Sequence, residues 1–318
     1  MKAILVDSEK NMRWTDVPDP TPREHDVLIE VHAAGVNRAD LLQRQGKYPP
    51  PPGWPEWMGL EAAGVVLSAP AGSRWKPGDK VCALLGGGGY AEKVRVPEEL
   101  VMGIPRGFSM TEAASLPEVW ATACLNLKFE ADLKSGETFL MQAAASGLGT
   151  AAVQLAKIMG AKVIAVAGSP AKIDFLKNLG VDIVVNRRMD NLDAVLEANP
   201  PNVSLDCVAG PGLGEHLIRM ARGGRWVVVS TLGGEHSDIP LRPFFKLGLT
   251  LKGTTLRSRT DEQKGRVLRE LENFVWPALE SGKIRSVIHG VFPISEVEAA
   301  HQVLSSGGNT GKVILSIR

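Results

Sequence analysis

Residues 136–157 read GETFLMQAAASGLGTAAVQLAK. An apolar run, Thr138–Ala143, enters a turn of small residues, Ala144–Gly149. The chain leaves that turn with apolar residues at Ala152, Val153, Ala156 and Met159, the spacing of a helix face. Small side chains at Ala144, Ala145, Ser146, Gly147 and Gly149 let the backbone bend sharply and let a diphosphate approach main-chain N–H groups at the positive helix end. The turn keeps only two of the three glycines of a dinucleotide fingerprint, so by itself it reads equally well as a tight helix-packing turn. Its surroundings decide. Lys134–Glu137 turns the chain into the strand, Gly160 ends the helix, and Val163–Ala167 supplies a second apolar strand, completing a βαβ unit.

Working outward, strand-like runs at Ile183–Asn186, Leu205–Val208 and Trp226–Ser230 alternate with helical ones at Ala171–Leu179, Leu192–Ala198 and Leu213–Ala221. Leu249–Gly253 is a candidate sixth strand. The pattern predicts an α/β, Rossmann-type, doubly wound parallel sheet over residues 119–255. Residues 1–118 read as a mostly β domain, with short runs at Met1–Val6, Asp26–Ala33, Ala62–Leu67, Lys80–Leu84 and Tyr90–Val96 separated by Pro and Gly turns. Ser109–Glu112 has the form of a capping box opening a helix. Residues 256–318, with amphipathic helices near Asp261–Glu280 and Ser295–Leu304 and a strand at Lys312–Ile317, are expected to return to the first domain.

Composition narrows the classes of partner. The 36 Lys and Arg nearly cancel the 35 Asp and Glu, which argues against nucleic-acid or membrane partners and leaves a small-molecule ligand. Cys82, Cys124 and Cys207 are too few and scattered for a disulfide framework, and no apolar run reaches membrane-spanning length, so a cytoplasmic location is expected. The six histidines have no ligand-like spacing and read as surface or cap residues.

A sheet that prefers NAD carries an acid near the end of its second strand, roughly twenty residues past the fingerprint, to hold the ribose 2′-hydroxyl. Here that position reads Gly168-Ser169-Pro170-Ala171-Lys172, with no carboxylate. Ser169 can hydrogen-bond a 2′-phosphate, Lys172 can neutralise it, and Arg187 after the third strand can pair with it or stack on adenine. Ser146, Gly147, Leu148 and Gly149 would hold the diphosphate of an NADPH cofactor.

The chain resembles the zinc-independent quinone oxidoreductases of the medium-chain dehydrogenase/reductase superfamily, related to zeta-crystallin. The likeness rests on Gly136-Glu137, Ala144-Ala145, Gly147-x-Gly149, Gln154 and Lys157, with Ser146 where the pattern usually has Gly. It extends through Gly35–Asp40, Gly59–Gly64, Lys76–Val81, Gly88–Glu92 and Thr310–Lys312. Asn37–Arg44 and Thr255–Arg259 look most like the tumour-suppressor-induced subgroup. The resemblance implies a GroES-like catalytic domain, an NADPH cofactor and commonly a homodimer, for which Trp226–Ser230 or Leu249–Gly253 would be the pairing edge. Where zinc-dependent relatives have catalytic Cys and His, this chain has Asn37 and Leu60, which cannot supply a tetrahedral zinc site.

Carried over by resemblance, Asn37 and Asp40 would lie near the nicotinamide and Tyr48 would offer a phenol to the acceptor. Thr122, Ser230 and Leu232 would line the nicotinamide pocket, with Phe244, Asn309 and Lys312 closing around the cofactor. Each has a plain structural alternative: a turn amide for Asn37, a helix cap for Asp40, packing on Trp54 or Trp57 for Tyr48. The expected reaction is metal-independent hydride transfer from NADPH to a quinone, whose reduced anion is delocalised and needs little help. Reduction of an enal or enone C=C bond and a non-catalytic NADPH-binding redox sensor are the alternatives.

Overall fold

The computed structural model describes all 318 residues, in two compact units: Met1–Ala121 with Arg257–Arg318, and Thr122–Leu256. The first begins with a hairpin, β1 (Lys2–Val6) and β2 (Met12–Asp16), the second strand being too polar to read as one from sequence. Then follow β3 (Asp26–Val36), α1 (Arg38–Arg44), β4 (Glu61–Ser68), β5 (Lys80–Leu84), β6 (Lys93–Pro97) and β7 (Val101–Gly103). Two short helices close this part, α2 (Met110–Ala113), opened by the expected Ser109–Glu112 capping box, and α3 (Pro117–Cys124).

The second unit contains β8 (Thr138–Met141), α4 (Gly147–Ile158), β9 (Lys162–Ala167), α5 (Pro170–Asn178), β10 (Ile183–Asn186), α6 (Leu192–Ala198) and β11 (Val203–Asp206). It continues with α7 (Leu213–Leu217), β12 (Arg225–Val228), α8 (Leu241–Leu247) and β13 (Thr250–Gly253). The strands are all parallel, in the order β10-β9-β8-β11-β12-β13. The order reverses between β8 and β11, the switch point where a doubly wound sheet receives its ligand, and the Ala144–Gly149 turn begins at the carboxyl end of β8.

Two sequence expectations are corrected here. The predicted strand Leu205–Val208 ends early because Asp206 Oδ1 accepts the N–H groups of Val208 (2.7 Å) and Ala209 (2.9 Å), turning the chain out of the sheet. The pairing edge proposed at Trp226–Ser230 is no edge, since β12 is bonded to β11 and β13 on its two sides; β13, with all four residues exposed, and β10 are the two edge strands.

The chain then returns to the first unit through α9 (Asp261–Glu270), α10 (Trp276–Glu280), β14 (Ile288–Pro293), α11 (Val297–Ser305) and β15 (Lys312–Ser316). The single helix expected over 261–280 is interrupted by a π turn at Leu271–Val275, just before Pro277, whose ring nitrogen cannot donate to a continuing helix. Strand β15 pairs antiparallel with β3, setting Ile314 opposite Gly35 and Val313 opposite Val36, so the first sheet runs β14-β15-β3-β4-β5-β7 with β6 also on β3. This pairing carries Lys312 to the end of β3, where Asn37 begins α1.

Candidate active site

Asn37 occupies the N-cap position of α1 with extended backbone, but its amide does not cap the helix. Instead Nδ2 donates to Glu61 Oε1 (2.8 Å) and Oδ1 accepts from Lys312 Nζ (2.7 Å). The Lys312 ammonium also donates to Glu61 Oε1 (2.5 Å) and to the Val36 carbonyl (3.1 Å). Glu61 has no solvent exposure, and its Oε2 accepts the backbone N–H of Glu118 at 2.9 Å. Lys312, expected at the cofactor, therefore has its charge taken up inside the first unit. Gly35 makes room for this arrangement: a Cβ there would lie 2.3 Å from Glu61 Oε1.

Asp40 takes the other half of the turn. Its Oδ2 accepts the N–H of Asn37 (2.7 Å) and the phenol of Tyr90 (3.0 Å), and its Oδ1 accepts the N–H of Gly59 (3.1 Å). Burial nonetheless pushes its pKa up to about 6, against the opposing pull of those donors and of Lys312. Tyr90 has one proton, and it goes to Asp40, so His301 Nε2, 3.3 Å from the same oxygen, is the donor to Tyr90. His301 Nδ1 is then a buried acceptor without a partner. The expectation that the histidines are surface or cap residues fails for His301: it is 2% exposed, and burial, followed by the charge of Arg44, lowers its pKa to about 4.

Tyr48 packs under Arg257, whose guanidinium carbon lies 4.3 Å from the ring centroid. Arg257 Nη2 donates to the Gly86 carbonyl (2.6 Å) and Gln43 Oε1 (3.2 Å), while Nε is a buried donor with no partner. Glu118, in the first turn of α3, is partly buried, and its pKa is raised to about 8, first by desolvation and then by Glu61. Sequence reasoning did not single out Glu118, Arg257, Tyr90 or His301, because nothing local marks them; strand pairing and loop closure bring them together.

In the second unit, Ser146 caps α4, with Oγ accepting from Gly149 N at 3.0 Å. The main-chain N–H groups of Gly147 and Leu148 sit in that first turn, where an α-helix leaves donors unsatisfied. A Cβ on Gly149 would meet the Ala144 backbone at 2.5 Å, so helix and turn pack too closely for a side chain there. Ser169 precedes α5 as N-cap, yet its hydroxyl makes no capping bond. Arg187 lies over the backbone of Gly168, its Nε 2.9 Å from where a Cβ would be, and Lys172 has its pKa lowered by burial and by the charge of Arg187.

The remaining expected contacts are more dispersed. Thr122 offers its carbonyl to Asn126 Nδ2 (2.7 Å), Ser230 lies just beyond the end of β12, and Leu232 is 50% exposed. Phe244 packs against the hydrophobic core of the second unit. Asn309 Nδ2 donates to the Gly311 carbonyl (2.7 Å) in the first.

The donor set around Asn37 does not fit a zinc ion. Leu60 has no ligand atom, both polar atoms of the Asn37 amide are engaged, and the Glu61 carboxylate is neutralised by the Lys312 ammonium.

A parallel sheet with its switch point at a small-residue turn, in a chain whose β domain regains its last strands from the C-terminus, defines a medium-chain dehydrogenase/reductase. The alcohol dehydrogenase GroES-like domain family matches residues 23–106, and the zinc-binding dehydrogenase family matches residues 147–273. The chain is 32% identical over 308 residues to the quinone oxidoreductase of Sus scrofa, covering 95% of this chain and 92% of that protein. Among solved structures, the Thermus thermophilus quinone oxidoreductase, determined also in complex with NADPH, is 33% identical with a TM-score of 0.83 over 100% of both chains. CurK enoyl reductase has a TM-score of 0.86 at 27% identity, over 99% of this chain and 98% of that one. The chain belongs to the quinone oxidoreductase family of oxidoreductases.

Proposed function

We propose that the protein is an NADPH-dependent quinone oxidoreductase that works without a metal. The observation that carries the cofactor choice is the meeting of Lys172 and Arg187 beside Ser169, with no carboxylate at the end of β9. Two cations at that position suit a 2′-phosphate, an anion that a carboxylate there would repel. The N–H groups of Gly147 and Leu148, in the turn that Ser146 and Gly149 shape, would hold the diphosphate, and Ser169, Lys172 and Arg187 the 2′-phosphate. When bound, the nucleotide supplies two electrons and one proton together, as hydride.

The protein's own part is to seat the acceptor and balance charge. Tyr48 presents an aromatic ring and a phenol, Arg257 places a positive charge beside that ring, and Lys312 with Asn37 fixes Glu61 so that its carboxylate does not repel the developing anion. An enal or enone is the second acceptor class, supported by the likeness to CurK enoyl reductase. No helix is long and apolar enough to cross a membrane, and a cytoplasmic homodimer paired through the exposed strand β13 completes the proposal. Steady-state assays with a quinone and an enone, each with NADPH and NADH, test it. Acceptor-dependent oxidation favouring NADPH supports it; nucleotide binding without turnover makes the protein a sensor.

A further inference from the structure

We propose that Glu118 is the proton donor of the acceptor site: its carboxyl O–H bond breaks as an O–H bond forms on the reduced acceptor, and the carboxylate left behind is reprotonated by water. This rests on the reductase reading above. Hydride uptake leaves a quinone as an anion one proton short of the hydroquinone, so one proton per turnover has to come from somewhere.

Three carboxyl groups converge in the first unit, and their hydrogen bonds rank them. Glu61 is fully buried and accepts from Lys312, Asn37 and the Glu118 backbone. Asp40 is fully buried with three donors aimed at it, Asn37 N, Gly59 N and Tyr90 Oη, so it has no proton to offer outward. Glu118 alone is partly exposed, and its carboxyl makes no hydrogen bond or ion pair; only longer-range charges act on it. The groups facing it are Glu61 from β4, Asp40 from α1, Lys312 from β15 and Arg257 beyond β13. The two acids favour its protonated form and the two cations oppose it. Lys312 and Glu61 are paired and largely offset one another, so burial is the leading cause of the raised pKa. The pKa of about 8 that results keeps the carboxyl protonated at neutral pH and close to matched for transfer. Its charge is also felt by the phenol of Tyr48, the side chain proposed above to meet the acceptor, so the two groups lie near one another.

The test compares the wild type with Glu118→Gln, which keeps the shape and loses the acidic proton. In nucleotide-free protein labelled with 13C-glutamate, the side-chain resonance missing from the variant should titrate near pH 8. With NADPH and a quinone or an enone, the variant should lose about 100-fold in kcat at pH 6.5 and lose the fall in rate above pH 8, with an unchanged dissociation constant for NADPH measured by fluorescence. A resonance already ionised at pH 6, or a variant that keeps wild-type kcat and its alkaline limb, overturns the proposal alone. A wild type that binds NADPH and reduces neither acceptor overturns the reductase reading and the proposal with it.

Discussion

The ammonium of Lys312 lies 2.5 Å from Oε1 of Glu61, and the two side chains are 4% and 0% exposed. They are 251 residues apart in the chain and meet because β15 pairs with β3 and β3 with β4. Removing one partner leaves a buried charge. Lys312→Met is expected to lower stability by about 3–5 kcal/mol, and the double variant with Glu61→Gln to recover most of that loss. Urea unfolding of the four proteins in the cycle measures it.

Gly35 has the role of a spacer under that pair. An added methyl would lie 2.3 Å from Glu61 Oε1 and 2.8 Å from the Ala114 carbonyl, and the second of these is backbone. Gly35→Ala is expected to displace the Glu61 carboxylate and lower stability by about 1–3 kcal/mol. A thermal midpoint unchanged from wild type would show that the strand adjusts freely.

On the proposed reading, cofactor choice follows the cations near β9 and β10. Lys172→Ala and Arg187→Ala should each weaken NADPH binding by roughly 10-fold or more, in line with a charge-assisted hydrogen bond of about 1.5–3 kcal/mol, and should leave NADH binding nearly unchanged. Fluorescence titration with both nucleotides reads the difference. Equal losses for the two would place these side chains away from the 2′-phosphate.

His301 should make the fold acid-sensitive. Its pKa falls from 6.5 in the unfolded chain to about 4 in the fold, so between those values the unfolded state binds more protons and stability drops as pH falls. Asp40 acts oppositely: its raised pKa gives the folded state the extra proton between 3.8 and about 6, favouring the fold at the acid end of that window. Replacing His301 by Gln should reduce the loss of stability between pH 7 and pH 5 by on the order of 2 kcal/mol, read from urea midpoints at both pH values.

The βαβ unit and the parallel sheet were legible because each is written in local period and turn chemistry. Helix α6 and strands β5 and β10 match their expected bounds. Strand β2, MRWTD, was not legible, because its side chains are mostly exposed and carry no alternation. Nor was α8, LRPFFKL, which has no buried residue to set a helical stripe. The candidate site divides the same way. Ser146, Gly149, Ser169 and Asn37 stand at helix starts that the sequence announces. Glu118 and Arg257 acquire their chemistry only from neighbours distant in the chain, Glu61 for one and Gly86 for the other.

The most direct test of the central claim is the steady-state rate of nicotinamide oxidation by the purified, metal-free protein with a quinone present and absent, using NADPH and NADH in parallel. The account expects quinone-dependent oxidation that survives chelation, with kcat/KM for NADPH at least about 10-fold above that for NADH, the factor expected from one charged hydrogen bond to the 2′-phosphate. Oxidation independent of the quinone, a requirement for added zinc, or a preference for NADH would contradict it.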